Sequence, residues 1–295
     1  MEYATVKIED ELSGKTVAQV MRTVLSMSER RISALKRVDR GILLNDSEVY
    51  TIARVHSGDT LNVCTDDICD TRKIKPIYIP LDILYEDEYF LVVNKPAGIS
   101  VHPTIDPDEI TLEHALAYYL KKTTVSHPVS RLDRGTSGLM TVAKSGYIHE
   151  LFKKQMHTDA FYKEYRGIVE GKVEPETGTI DKPIASSKES HFKRETVKNG
   201  KQSLTAYATV SFDGKYSLLS LIPYTGRTHQ LRVHLSSIGY PLVGDFLYGT
   251  ENRKLIDRPA LHSYYLRMTH PVTGKVIEII CDLPEDMKKI MEQRK

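Results

Sequence analysis

Residues 204–212 and 215–222 are two strand-like runs separated only by Asp213-Gly214. An Asp-Gly pair between two such runs is among the strongest short-range hairpin signals, because the turn that matches strand twist needs positive φ at both central residues. Pairing in this part of the chain is therefore antiparallel and local. Residues 41–44, 59–63, 89–94 and 138–143 also read as strands. Helical spacing is confined to short stretches. Val17, Val20, Met21 and Val24 share one face. Ser28 is placed to cap a second helix, with Glu29 in its first turn, Ile32 and Leu35 buried, and Gly41 as its stop. Leu112, Ala115, Leu116, Tyr119 and Leu120 form another apolar stripe. Ser145 heads a helix that buries Ile148, Leu151 and Phe152, and Thr228 opens one with Leu231, His234, Leu235 and Ile238 on one face. Strands outnumber helices and pair by hairpins. That predicts an α+β fold, a mixed and mainly antiparallel sheet flanked by helices, rather than a doubly wound sheet.

The chain has 295 residues, which suggests about two domains. The clearest break in composition is residues 65–80, TDDICDTRKIKPIYIP, polar and charged and then carrying Pro76 and Pro80. It predicts a small unit over residues 1–75 and a larger one over 76–295. Cys64, Cys69 and Cys281 are too few for a disulfide framework and lack the spacing of a zinc site, which fits a reducing compartment. No stretch approaches the 18 apolar residues of a membrane span, and the N-terminus has no apolar core of the secretory type, so the default expectation is a cytoplasmic protein.

Several chemistries lose their support early. Gly14-Lys15-Thr16 looks like the tail of a phosphate-binding loop, but Glu9 stands where the upstream glycine is required. G-x-G-x-x-G, H-E-x-x-H and G-x-S-x-G are absent, and the histidines do not cluster as metal ligands. Neither a cofactor nor a metal is expected. Lys+Arg number 41 against 39 Asp+Glu, so net charge names no partner and an anionic ligand must be held by local clusters.

Three clusters could carry chemistry. In residues 127–144, HPVSRLDRGTSGLMTVAK, Asp133 lies between Arg131 and Arg134 and ahead of a loop of two glycines and two hydroxyl residues. Such a loop can fix a carboxylate in one pose. It also fits a solvated turn, because exposed Arg–Asp pairs are common and weak. In residues 224–234, YTGRTHQLRVH, Arg227 sits beside a helix start where amides and a guanidinium can hold an anion. A solvated face fits equally. His234 falls on the apolar stripe and reads as a core histidine, while His229 and Gln230 read as residues that fix the turn. Tyr165, in Lys163-Glu164-Tyr165, could stack on a planar substrate or simply pack. Near the N-terminus, Arg22, Arg30, Arg31, Lys36, Arg37 and Arg40 face only Glu29 and Asp39, a basic stretch suited to phosphate contacts or to solvent.

Taken in order, ILYEDEYFLVVNKPAGISVHP (83–103), SRLDRGTSGLMTVAK (130–144), FYKEYRGIVEG (161–171), TGRTHQLRVHLSSIGYPLVGDFLYG (225–249) and LHSYYLRMTHPVTG (261–274) resemble the bacterial RluA-type pseudouridine synthases. Residues 13–63 are similar to the small alpha-L RNA-binding domain often fused to that family. The resemblance implies an RNA pseudouridine synthase acting on structured RNA, ribosomal RNA ahead of transfer RNA, as a monomer without cofactor. It implies that Asp133 is the catalytic carboxylate, that Tyr165 stacks on the uracil and takes a catalytic part in moving a proton, and that Arg227 pairs with Asp133 and holds it ionised. It further implies that Arg131 contacts the backbone of the displaced nucleotide or supports the loop and that Leu242 packs under the base, with Arg30, Arg31, Lys36 and Arg37 on the RNA backbone. The family commonly has His before R-L-D, where this chain has Ser130. A non-catalytic RNA-binding or ribosome-assembly protein on the same fold is the alternative.

Overall fold

The computed structural model describes residues 1–67, 74–103, 106, 108–121, 127–156, 158–187, 190 and 192–292. Cys69 and the middle of the expected linker lie outside them. The N-terminal unit is a four-stranded antiparallel sheet of β1 (Tyr3–Lys7), β2 (Ile42–Leu44), β3 (Ser47–Glu48) and β4 (Thr60–Cys64), in the order β1-β4-β2-β3, with helices α1 (Val17–Thr23) and α2 (Glu29–Leu35). Thr16 and Gln19 close a capping box at the head of α1, and the Ser28 hydroxyl accepts from Arg31 N at the head of α2. Both helices turn Val17, Val20, Met21, Ile32 and Leu35 into the core. Gly41 is not the stop of α2, which ends at Leu35 with Lys36 as its C-cap. A Cβ at Gly41 would come within 2.7 Å of the Leu35 carbonyl, so the glycine is needed there for close approach.

The larger unit is built on a ten-stranded mixed sheet. In chain order its elements are β5 (Ile83–Glu86), β6 (Phe90–Lys95), α3 (Leu112–Tyr119), β7 (His127–Pro128), β8 (Ser137–Ala143), α4 (Gly146–Gln155), β9 (Phe161–Glu170) and β10 (Thr177–Asp181). A two-stranded arm of β11 (Ile184–Ser186) and β12 (Arg194–Thr196) follows. Then come β13 (Leu204–Phe212), β14 (Tyr216–Pro223), α5 (Gln230–Ser237), β15 (Leu261–Thr269), β16 (Val276–Ile280) and α6 (Glu285–Glu292). The sheet runs β10-β13-β14-β9-β15-β8-β6-β5, with β16 beside β15 and β7 beside β8. Among the described residues, every pairing in it is antiparallel except β15 with β8. The architecture is α+β. The β13–β14 hairpin turns at Asp213-Gly214, where the Asp213 carboxylate accepts from the amides of Lys215 and Tyr216 and Gly214 has φ 96°. In α3, Leu112, Ala115 and Leu116 are buried, but Tyr119 lies at the surface, its hydroxyl donating to Glu86 at 2.6 Å.

The two units share one core. Val20, Ile32 and Leu61 belong to the same apolar cluster as Phe90, Tyr147, Ile148 and Phe152. Polar links reinforce the seam: Ser28 Oγ donates to Glu150 at 2.6 Å, Tyr147 Oη to the Leu25 carbonyl at 3.1 Å, and Lys154 Nζ to the Ser26 carbonyl at 2.7 Å. Arg31, expected on the RNA backbone, belongs to this seam instead. It is 4 % exposed, its Nη2 donates to the carbonyls of Cys64 and Asp66, and its guanidinium lies 5.6 Å from the centre of the Tyr147 ring. Its place on the buried edge of α2, next to Ile32, turns it inward. Arg30, Lys36 and Arg37 are exposed. Arg31→Met is expected to destabilise the protein by about 2–3 kcal/mol, since buried carbonyls lose a charged donor. Denaturant unfolding checks this.

Candidate active site

The loop between β7 and β8 carries Asp133 and is clamped from three sides. From the β6 end, Gly98 N donates to the Arg134 carbonyl at 2.8 Å and Arg134 Nε returns a bond to the Gly98 carbonyl at 2.9 Å. Beneath it, the fully buried Lys95 donates to the carbonyls of Pro96 and Ile99 at 2.8 and 2.9 Å and reaches the Arg134 carbonyl of the loop at 3.4 Å. Burial pushes the Lys95 ammonium down to about 8, with Asp133 pulling the other way. From the C-terminal side, Arg258 donates to the Gly135 carbonyl at 3.1 Å while its Nε and Nη2 grip Asp286 of α6 at 2.7 and 2.9 Å. The loop then enters β8 through Gly138, which has φ 105° and whose Cβ would lie 2.3 Å from the Ser263 carbonyl. Only glycine allows β8 to close against β15 at that point.

Asp133 opens into a cavity of about 510 Å³ whose wall includes Leu132, Leu231, Leu261, Tyr165, Lys163 and Ser130. The loop thus delivers its carboxylate to a walled space rather than to solvent, with the Asp133 side chain 27 % exposed. Tyr165, at 7 % exposure on β9, also faces this space. Burial, chiefly, pushes its hydroxyl up to about 12.

Among the described residues, the guanidinium nearest Asp133 belongs to Arg232 and not to Arg227. Arg232 Nη1 is 3.6 Å from Asp133 Oδ2, and its Nε and Nη2 hold the fully buried Asp245 at 2.7 and 2.8 Å. Arg227 lines the outer cavity, exposed, with Nε donating to the Gln202 carbonyl at 3.1 Å. The reason is where the helix starts. Helix α5 begins at Gln230, after His229 takes φ 57°, in the left-handed region. Arg227 therefore stays in the preceding turn and points outward, while Arg232 is carried inward on the first turn of the helix. Gln230 pins that turn: its Oε1 accepts from Thr225 Oγ1 and Arg227 N, and its Nε2 donates to the Leu204 carbonyl. His229 Nε2 stands 4.0 Å from Asp133, and His234 is a core histidine between Thr205 and the Lys182 carbonyl.

Arg131 lines the cavity and is exposed. Leu242 is not part of the wall. It is 1 % exposed, bridges to Val169 of β9 and packs in the core behind Tyr165. Leu132, Leu231 and Leu261 supply the apolar surface instead.

The family model for RNA pseudouridylate synthases matches residues 89–237, from β6 through α5 and including Asp133, Tyr165 and Arg232. The chain belongs to this family. It is an RNA pseudouridine synthase, an isomerase of uridine in RNA. The uncharacterized RNA pseudouridine synthase YhcT of Bacillus subtilis is 33% identical over 97% of this chain and 95% of its own length. Ribosomal large subunit pseudouridine synthase D of Zymomonas mobilis is 32% identical, covering 99% of this chain and 98% of the relative. Among solved structures, human RNA pseudouridylate synthase domain containing 1 superposes with a TM-score of 0.59 at 29% identity, over 72% of this chain and 87% of that one.

Sequence reasoning missed four residues of this candidate site: Arg232, Asp245, Lys95 and Arg258. Arg232 and Asp245 are 13 positions apart and carry no local signal of pairing. Lys95 ends the apolar run of β6, and a lone basic residue there is a cue; Arg258 stands in the charged stretch ENRKLIDRP, which offers none.

Proposed function

We propose that this synthase acts on ribosomal RNA and that Asp133 performs the chemistry. The placement of Asp133 carries the reading: a carboxylate in the wall of a cavity, a tyrosine in the same wall and a guanidinium at 3.6 Å. The rRNA assignment rests on the large-subunit pseudouridine synthases D among the relatives.

The reaction breaks the N1–C1′ bond of uridine, turns the freed uracil and forms a C5–C1′ bond, with the C5 proton lost and N1 protonated. No atom is gained and no electron transferred. Asp133 starts it either by attacking C1′ or by removing the 2′ proton, and both routes need an ionised carboxylate against the sugar. Arg232 offsets the cost of keeping that charge out of water, and Asp245 fixes the guanidinium so that it cannot swing away.

The target uridine leaves its stack to reach Asp133, at a cost of a few kcal/mol. Tyr165 returns part of it, since an aromatic face is worth roughly 1–3 kcal/mol per base. Arg131 holds the displaced nucleotide at the cavity mouth. Residues 1–75 act as an RNA-binding unit through Arg30, Lys36 and Arg37. Replacing those three by Met is expected to make the salt dependence of RNA binding shallower, by about 0.7–0.9 in slope for each phosphate no longer neutralised, with the single-turnover rate unchanged.

Incubating the protein with uridine-labelled 23S rRNA and tRNA transcripts and mapping pseudouridine tests the assignment. One or a few rRNA positions are expected to convert. Conversion of tRNA alone would overturn the rRNA reading.

A further inference from the structure

Phe246 is a large apolar side chain left in solvent beside the catalytic ion pair. It is 61 % exposed, although its chain neighbour Asp245 is fully buried. The centre of its ring lies 6.0 Å from Arg232 Cζ, the guanidinium that faces Asp133. The backbone beneath it is pinned: Asp245 Oδ1 accepts from the amides of Leu247 and Tyr248 at 3.1 and 3.2 Å, while the same carboxylate holds Arg232. A single carboxylate thus fixes both the guanidinium of the site and the turn that presents the ring.

The surroundings are cationic and aromatic. Tyr248, two residues on, also packs on this guanidinium, with Arg232 Cζ 5.1 Å from its ring centre. Its hydroxyl accepts from Arg194 N at 2.8 Å, which brings the arm of β11 and β12 against the same turn. Phe192, 77 % exposed, and Lys193 lie on that arm, and Arg227 is exposed at the cavity mouth. An exposed ring on a pinned turn, one guanidinium away from the carboxylate of a site that takes a base out of its stack, suits one ligand class: an unpaired RNA base flanked by phosphates.

We infer that Phe246 is a stacking platform for an RNA base next to the target uridine, held in place by Asp245. The inference rests on the proposed action on ribosomal RNA. Stacking there compensates for the face that the neighbouring base leaves bare when the uridine is everted, and a ring fixed in advance does so with little ordering cost. It makes Phe246 a specificity residue, favouring sites whose adjacent base is free to stack.

The test uses an rRNA fragment that the wild-type protein converts, with 2-aminopurine replacing each base adjacent to the target in turn. Binding is read by fluorescence with Asp133→Asn protein, and activity by single-turnover conversion with the otherwise wild-type chain. One 2-aminopurine is expected to be quenched on binding. Phe246→Ala in the Asp133→Asn background is expected to remove the quench, and Phe246→Ala alone to lower kcat/KM roughly 5- to 100-fold; Phe246→Trp retains both. A Phe246→Ala protein with quench and kcat/KM within two-fold of the parent overturns the inference. So does a fall in activity with the quench intact, which would mean that the ring acts only by propping Asp245. Wild-type protein that converts no rRNA uridine overturns the rRNA reading itself, and the platform with it.

Discussion

Arg232→Met is expected to lower stability by about 3–5 kcal/mol, because it strands the carboxylate of Asp245 in the core without its partner. Asp245 is fully buried and takes two bonds from the guanidinium, at 2.7 and 2.8 Å. The loss shows as a fall in Tm of roughly 5–15 °C. Activity falls further than folding alone explains, because the same side chain supplies the positive charge 3.6 Å from Asp133. Measured where the variant is folded, kcat is expected to drop by at least about 100-fold, the cost of removing one preorganised charge from an active site. Arg232→Lys should fall between the two, since an ammonium keeps the charge but cannot reproduce a fork of two parallel bonds. Arg227→Met provides the contrast. Its guanidinium is exposed and bonded to the Gln202 carbonyl, so only a few-fold weakening of RNA binding is expected, with Tm unchanged. A kcat loss for Arg227→Met as large as for Arg232→Met would return the charge-pairing role to Arg227.

Local rules carried much of the fold. The Asp213-Gly214 hairpin, the Ser28 and Ser145 caps, and strands at residues 89–94 and 138–143 follow from turn chemistry and apolar runs that act over a few residues. The residue types of the site were legible in the same way, since Asp133 stands in a loop whose glycines and hydroxyls announce a fixed turn. Partners across space were not legible. Arg227 and Arg232 are both basic and both near a helix start, and one left-handed residue at His229 decides which faces Asp133. Arg31 looked like its neighbour Arg30 because periodicity over a seven-residue helix cannot say that a second unit covers one edge of it. Leu242 is apolar and near the site in sequence, but its bridge to Val169 commits it to the core. The alternation of Lys163 and Tyr165 on β9, by contrast, puts both on the cavity side, as strand geometry requires.

Asp133→Asn is expected to lower product formation by at least about 10⁴-fold, the scale of loss when the group that starts covalent or proton-transfer chemistry is removed. Asparagine keeps the shape of the side chain and neither attacks C1′ nor accepts the 2′ proton. Folding should survive, because Asp133 is partly solvated and its interactions with Arg232 and His229, at 3.6 and 4.0 Å, are weak. RNA affinity should stay within a few-fold, as the cavity wall, Tyr165 and the basic residues are untouched. The most direct measurement is single-turnover conversion of an rRNA uridine, followed by mass-labelled pseudouridine, with wild-type and Asp133→Asn protein at equal RNA occupancy. The wild type is expected to convert the bound uridine while the variant holds its RNA unchanged; pseudouridine formed by the variant at the wild-type rate would contradict the assignment of the chemistry to this carboxylate.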